Sequence, residues 1–291
     1  MSGMRERFYE LAREALDEDE RVAVVTAQIG TDSIGEHPRH FDVGIREQLM
    51  IGVAAGLALE GYRAVAHSYA PFLVERPWEF LKLDLGHNDL GAVLVSTGAS
   101  YDAARSGRTH QAPEDVALVA ALPGWTIHVP GHADELETLF RSALAAGDRV
   151  YVRMSEEENH ARVDGAGFTV LRHGSAGAPL VLAVGPTLAP VLAATVGRDV
   201  SVAYLATVRP FPHAGLREAL ADGTDVVLVE PYLAGTSAAE VALALRDRPH
   251  RLLSLGVPNA ELRRYGGGAE HRAAHGLDAA GIAASLQGFL A

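Results

Sequence analysis

Cysteine is missing from this 291-residue chain altogether. That excludes disulfides, thiolate nucleophiles and cysteine-built metal sites. Long apolar runs are missing too: no stretch approaches the roughly 18–20 residues of a membrane-spanning helix. The first twenty residues are charged throughout and hold no apolar core of signal-peptide length. Nor is there a basic excess, since 25 Lys and Arg against 37 Asp and Glu leave a net charge of −12. Such a balance argues against nucleic acid bound through its phosphates, and no basic run offers itself to an anionic membrane. No Gly-x-Gly-x-x-Gly follows an early strand, which disfavours dinucleotide binding. The histidines are scattered with no metal-ligand spacing. A soluble, cytoplasmic protein is the expectation these absences leave.

What is present is an ordered chain, 48% hydrophobic and only 21% charged, long enough for two domains. Short apolar runs predict strands at 22–27, 63–69, 92–96, 125–129 and 150–153. Amphipathic stretches predict helices at 4–16, 72–85, 114–122 and 134–146. After Glu156-Glu157-Glu158-Asn159 and the glycines at 165 and 167, a second series begins. It has strands at 180–184, 200–205, 225–230 and 251–255, with helices at 187–195, 237–245 and 279–290. Alternating strands and helices, with strands too apolar to face water, predict the α/β class: two consecutive domains, 1–165 and 166–291, each a mainly parallel sheet covered by helices.

One stretch organises the first half. Phe41-Asp42-Val43-Gly44-Ile45-Arg46-Glu47 is followed by a run with no charge from Gln48 to Leu59. A helix apolar all round is expected to be buried. Glu47 at its start either favours the helix N-terminus through the macrodipole or is a buried carboxyl available for proton chemistry; the local pattern leaves both open. Phe72 reads as a core phenylalanine or as an aromatic face for a flat ligand. His110 reads as a histidine hydrogen-bonded at a helix start or as a proton-transfer group. His67 ends a core strand, where α/β sheets bind ligands, or is a satisfied buried histidine.

Several motifs follow one another along the chain: Phe41 to Gln48, Tyr69-Ala70-Pro71-Phe72-Leu73, Val95-Ser96-Thr97 through Gly107-Arg108-Thr109-His110-Gln111, Gly124-Trp125 to Gly131, Val208-Arg209-Pro210-Phe211 and Gly276-Leu277-Asp278. Taken in this order, they resemble those of transketolases and of deoxyxylulose-phosphate synthase. The resemblance implies thiamine diphosphate as cofactor. It implies that Glu47, with Gln48 beside it, faces a nitrogen of the aminopyrimidine ring. It implies that Phe72, or else Tyr69, stacks on that ring, and that His110 acts in proton transfer. His67, Arg105, Ser106, Arg108 and Arg153 are the implied substrate contacts. The family's Gly-Asp-Gly diphosphate motif is absent, Gly147-Asp148-Arg149 being the nearest match. The chain thus resembles the C-terminal subunit of a split transketolase. It would hold the pyrimidine-binding and C-terminal domains, the latter serving mainly in dimerisation. An N-terminal partner subunit would bind the diphosphate and Mg²⁺ (or Ca²⁺), and an α2β2 heterotetramer is implied. Two-carbon ketol transfer between sugars is the implied activity. A 2-oxo acid dehydrogenase beta subunit and a non-catalytic regulatory subunit are the alternatives. Departures bear on the substrate. Ser106 stands where the family carries an aspartate, Gly98 where it often carries a histidine, and Glu156 to Glu158 follow Arg153 and would repel a phosphate. A substrate other than an ordinary pentose phosphate is the expectation.

Overall fold

Strands β1 (Val22–Thr26), β2 (His40–Asp42), β3 (Arg63–Tyr69), β4 (Ala92–Thr97), β5 (Trp125–His128) and β6 (Arg149–Arg153) pair in parallel in the order β5-β6-β4-β3-β1-β2. This computed structural model describes residues 3–165 and 167–291; residue 166, the expected start of a second domain, and residues 1 and 2 lie outside the described residues. Alternate side chains go to opposite faces of the sheet, as the pleat dictates. Val24, Val65, Val93, Val95 and Val152 join the helices Met4–Glu18 and Ala133–Ala145 through Phe8, Leu136 and Phe140. Val25, Ala66, Leu94, Ile127 and Tyr151 join Met50, Ile51, Leu73 and Leu81 on the other side.

The second sheet is built from β7 (Phe168–Arg172), β8 (Leu180–Val184), β9 (Ser201–Leu205), β11 (Asp225–Leu233) and β12 (Arg251–Val257), in the order β12-β11-β8-β9-β7. Its central pairs are parallel, and the edge strand β7 is antiparallel to β9. Between β9 and β11 the chain crosses back. β10 (Thr207–Arg209) lies antiparallel on β5 as the seventh strand of the first sheet. One apolar cluster accordingly runs through both units, with Trp125, Ile127 and Val129 beside Val208, Phe211 and Tyr232.

The expected helix at 72–85 is not uniform. Pro71–Glu75 and Leu81–His87 wind as π-helix around a short α-helical piece, Trp78–Phe80. Pro77 lies between, and its missing N–H and ring bulk disfavour a continuous α-helix there. The helix Glu47–Leu59, expected to be buried all round, is covered on one face only. Glu47, Met50, Ile51, Ala54 and Ala55 are buried, whereas Leu49 is 48% and Leu59 70% exposed. Among the described residues that second apolar face is only partly covered. Among the described residues β7, β10 and the helices Thr31–Ile34, His213–Leu220 and Gly268–Ala274 carried no expectation. β7 is a half-exposed edge strand and β10 has three residues, so neither shows the apolar run of a central strand.

Candidate active site

Glu47 is delivered by a short turn after β2. Asp42 Oδ1 accepts from the backbone N–H groups of Gln28 (2.8 Å) and Gly44 (3.0 Å). Gly44 has φ 68°, which a residue without a Cβ adopts at little cost. Glu47 is then the first residue of its helix and is 1% exposed. Its Oε2 accepts a 2.6 Å hydrogen bond from Nη1 of Arg76. The helix start favours its negative charge, and its burial is what a carboxyl used in proton chemistry requires, so this geometry is compatible with either reading of Glu47.

The Pro71–Glu75 turn places Phe72 and Arg76 on one side, and the Arg76 guanidinium carbon lies 4.0 Å from the Phe72 ring centroid. Gln48 Nε2 donates to the Arg76 carbonyl oxygen at 3.4 Å. His110 meets Phe72 edge-on with ring centroids 5.0 Å apart, and Tyr69 lies 5.7 Å from His110 and 6.2 Å from Phe72. Glu47, Gln48, Phe72, Tyr69 and His110 thus form one continuous chain of contacts by way of Arg76. It lies at the carboxyl ends of β2, β3 and β4, the side where α/β sheets bind ligands.

His110 ends the second of two tight turns, Ala104–Ser106 and Arg108–His110, in the loop after β4. Gln111 Nε2 donates to the Arg264 carbonyl oxygen (3.1 Å), and a Cβ on Gly107 would come 3.1 Å from the Tyr265 ring. The loop is therefore held by the second unit. Arg105 and Ser106 are exposed on it, and Arg105 makes no ion pair among the described residues. Arg108 is engaged with Glu114 (2.7 Å) and Glu261 (3.5 Å).

Two of the implied substrate contacts lie inside the protein. Arg153 is 1% exposed; its Nε donates to Asp115 Oδ2 and its Nη2 to Ser100 Oγ, each at 2.7 Å. Asp115 also accepts from the Tyr151 hydroxyl at 2.7 Å, so this arginine is the cation of an internal network. His67 is fully buried beside Phe8 and Tyr9, with Nδ1 2.8 Å from the Val95 carbonyl oxygen. Burial lowers its pKa to about 3, so the ring is neutral and Nδ1 is the donor. It fits the buried-histidine alternative. Two carboxylates of the acidic run after Arg153 are engaged, Glu157 pairing with Arg272 at 2.5 Å and Glu158 accepting from the Met4 backbone N–H at 2.6 Å, while Glu156 is exposed.

Sequence reasoning missed two residues here. Arg76 bridges Glu47 and Phe72. Arg5 donates through Nε to the Tyr9 hydroxyl (2.7 Å), with its guanidinium 5.7 Å from the Tyr9 ring and 5.6 Å from the Tyr69 ring. Both belong to aromatic–arginine pairs at i,i+4 spacing, a signal visible in the sequence. The glycine at 98 also finds its reason. It has φ 67°, and a Cβ there would lie 2.2 Å from Tyr69 Cδ1, so the tyrosine ring fills the space a larger residue would need. Next to the site, burial and the nearby Glu114 carboxylate raise the Glu75 pKa to about 7. Among the described residues no His, Asp and Glu side chains group to hold a metal ion, and no helix is long and apolar enough to cross a membrane.

A buried carboxylate at a helix start, an aromatic face and a loop histidine at the carboxyl ends of a parallel sheet define a class. The chain belongs to the transketolase family: residues 3–160 match the model of the transketolase pyrimidine-binding domain. Within that family it is of the kind found as the C-terminal subunit of split transketolases. It is 30% identical to an apulose-4-phosphate transketolase subunit of Actinobacillus succinogenes, over 96% of this chain and 94% of that one. A split-gene transketolase solved as an inactive beta4 tetramer matches with a TM-score of 0.81 and 26% identity, over 98% of this chain and 97% of that one. An uncharacterised 33.6 kDa protein of the fasciation locus of Rhodococcoides fascians is 48% identical over 95% of this chain and 91% of its own length. Membership implies a thiamine-diphosphate-dependent transferase subunit.

Proposed function

We propose that the chain transfers a two-carbon ketol unit from a ketose donor to an aldehyde acceptor in the cytoplasm. It does so with a second polypeptide that binds the diphosphate and Mg²⁺ (or Ca²⁺), in an α2β2 heterotetramer. The observation that carries this reading is Glu47, a buried carboxylate joined through Arg76 to the face of Phe72 and thence to His110. These residues fit an aminopyrimidine, which requires a carboxylate at its edge and an aromatic ring on its face. When bound, thiamine diphosphate supplies the nucleophilic carbon that breaks and forms a carbon–carbon bond beside a carbonyl. Glu47 shares a proton at the ring nitrogen, in a dry setting that strengthens the contact. Phe72 and Tyr69 exclude water, and His110 moves a proton on a substrate hydroxyl. The open apolar face of Glu47–Leu59, beginning at the site itself, supports the need for a partner. The name of the Actinobacillus relative, itself one subunit of a transketolase, is consistent with it.

Arg105, Ser106 and Arg108, on the loop of His110, are the proposed substrate contacts. The commitment of Arg153 to Asp115 and the serine at 106 support a donor or acceptor other than an ordinary pentose phosphate. The test is the chain purified with its partner and assayed with ketose plus aldose against pyruvate plus an electron acceptor. Glu47→Ala is expected to lower ketol transfer by at least about a thousandfold with assembly intact, as expected for loss of a group acting in the transition state; near-normal turnover would sink the assignment. Efficient turnover of xylulose 5-phosphate with ribose 5-phosphate would overturn the substrate reading.

A further inference from the structure

Arg76 has no part in the chemistry proposed above, yet it lies on both of its central residues. The guanidinium is a planar cation with N–H groups along its edge. One of these donates to Glu47 Oε2 at 2.6 Å, while the plane's carbon lies 4.0 Å from the Phe72 ring centroid. An aminopyrimidine is also planar. Its amino group and ring nitrogens form an amidine edge, close in shape to a guanidinium. It needs the same two contacts, an edge on the carboxylate and a face on the aromatic ring. Two planar groups cannot hold the same carboxylate oxygen and the same ring face together.

We propose that Arg76 is an internal placeholder for the aminopyrimidine. Before the cofactor binds, it occupies the pyrimidine subsite and holds Glu47 in position; it swings out as the ring enters. This rests on the reading of Glu47 and Phe72 given above. The local structure allows the movement. The Arg76 backbone is fixed, its N–H donating to the Pro71 carbonyl (3.1 Å) and its carbonyl accepting from Gln48 (3.4 Å). Its side chain is 36% exposed, so the charge reaches water without crossing the core. Glu47, by contrast, is 1% exposed and stays behind as the fixed partner. A closed subsite lowers cofactor affinity by the fraction of time it is open.

The experiment measures the Kd of thiamine diphosphate, with Mg²⁺ and no substrate, for the complex of this chain with its diphosphate-binding partner, by calorimetry or tryptophan quenching. Arg76→Met is expected to bind about five- to tenfold more tightly than the wild type, as removal of a mostly closed state requires. The gain is expected to vanish when Glu47→Gln is added. Arg76→Lys, which pairs with Glu47 but has no plane to stack on Phe72, is expected to fall between, and serves as the test should Arg76→Met fail to fold. Equal or weaker binding by the Arg76 variants, with Glu47→Ala still inactive, overturns the placeholder and leaves the function standing. Unchanged affinity and turnover in Glu47→Gln overturns both.

Discussion

Gly98 and Tyr69 show how one small residue decides the shape of the site. The ring of Tyr69 lies where a side chain at 98 would be, and the backbone there is left-handed. Gly98→His is therefore expected to cost about 2–3 kcal/mol, from overpacking and strain together. Adding Tyr69→Ala is expected to recover about half of that, because it frees the space but not the backbone. Denaturant melts of the two variants check this, and a double variant no more stable than Gly98→His would contradict it. Glu230 yields a second prediction. It is buried in the second unit, its Oε1 accepts from the Ser237 backbone N–H at 3.1 Å, and burial raises its pKa from 4.5 to about 7. With the folded-state pKa above the unfolded one, the native state holds the extra proton between those values. Its contribution is present at low pH and is lost as pH rises through about 7. Glu230→Gln removes the titration, so its stability relative to the wild type should increase from about pH 5 to pH 8, by at most about 3 kcal/mol. A difference that does not change with pH would contradict this. Single residues were unevenly legible. Glu47, Phe72 and His110 were singled out by the family resemblance, because the local pattern at each fits an ordinary structural role as well. Whether an arginine is free or paired depends on partners far along the chain: Arg76 finds Glu47 across 29 residues and Arg153 finds Asp115 across 38. No local pattern carries that information.

At the scale of elements, the central strands were legible because they are buried on both faces and so are apolar without interruption. The uncharged composition of Glu47–Leu59 was legible as a demand for burial, but not what would meet the demand. Met50, Ile51 and Ala54 are met by the sheet, while Leu49 and Leu59 remain 48% and 70% exposed. The neighbouring segment Trp78 to His87 packs on the same helix and adds exposed Phe80 (37%) and Leu83 (42%). This face is expected to carry the partner subunit. Leu49→Asp places a charge on it without touching the core. It should weaken assembly by at least about tenfold, the cost of a charge lost to an apolar interface. The chain's own melting should shift little, since surface substitutions alter stability by about 0.5 kcal/mol or less. Size-exclusion chromatography of the co-expressed pair reads the first and thermal denaturation of the single chain the second. Full assembly by Leu49→Asp would place the partner elsewhere. β7 and β10 escaped notice for the converse reason: a half-exposed edge strand and a three-residue strand need no apolar run.

Across the whole molecule, two sheets were legible as two runs of strands, but their interdependence was not. β10 follows β9 of the second sheet along the chain, yet pairs with β5 of the first. Around it, the Tyr204 hydroxyl donates to Glu135 Oε2 (2.5 Å), Asn159 Nδ2 to the Gly185 carbonyl (3.0 Å), Ser100 Oγ to the Pro231 carbonyl (2.6 Å) and the Leu233 N–H to the Pro113 carbonyl (2.8 Å). The apolar cluster is continuous through the same junction, from Trp125 and Ile127 to Val208, Phe211 and Tyr232. Units that share a core and a sheet edge lose stability together, so calorimetry of the whole chain should show one transition whose calorimetric and van't Hoff enthalpies agree. A chain stopped at residue 165 would lose β10 and the cover over Ile127, leaving an unpaired edge at β5 beside bare apolar surface. Such a fragment is expected to aggregate or to melt well below the intact protein. Two resolved transitions in the whole chain, together with a fragment as stable as its counterpart in the intact protein, would show instead that β10 is an ornament on an independent first unit.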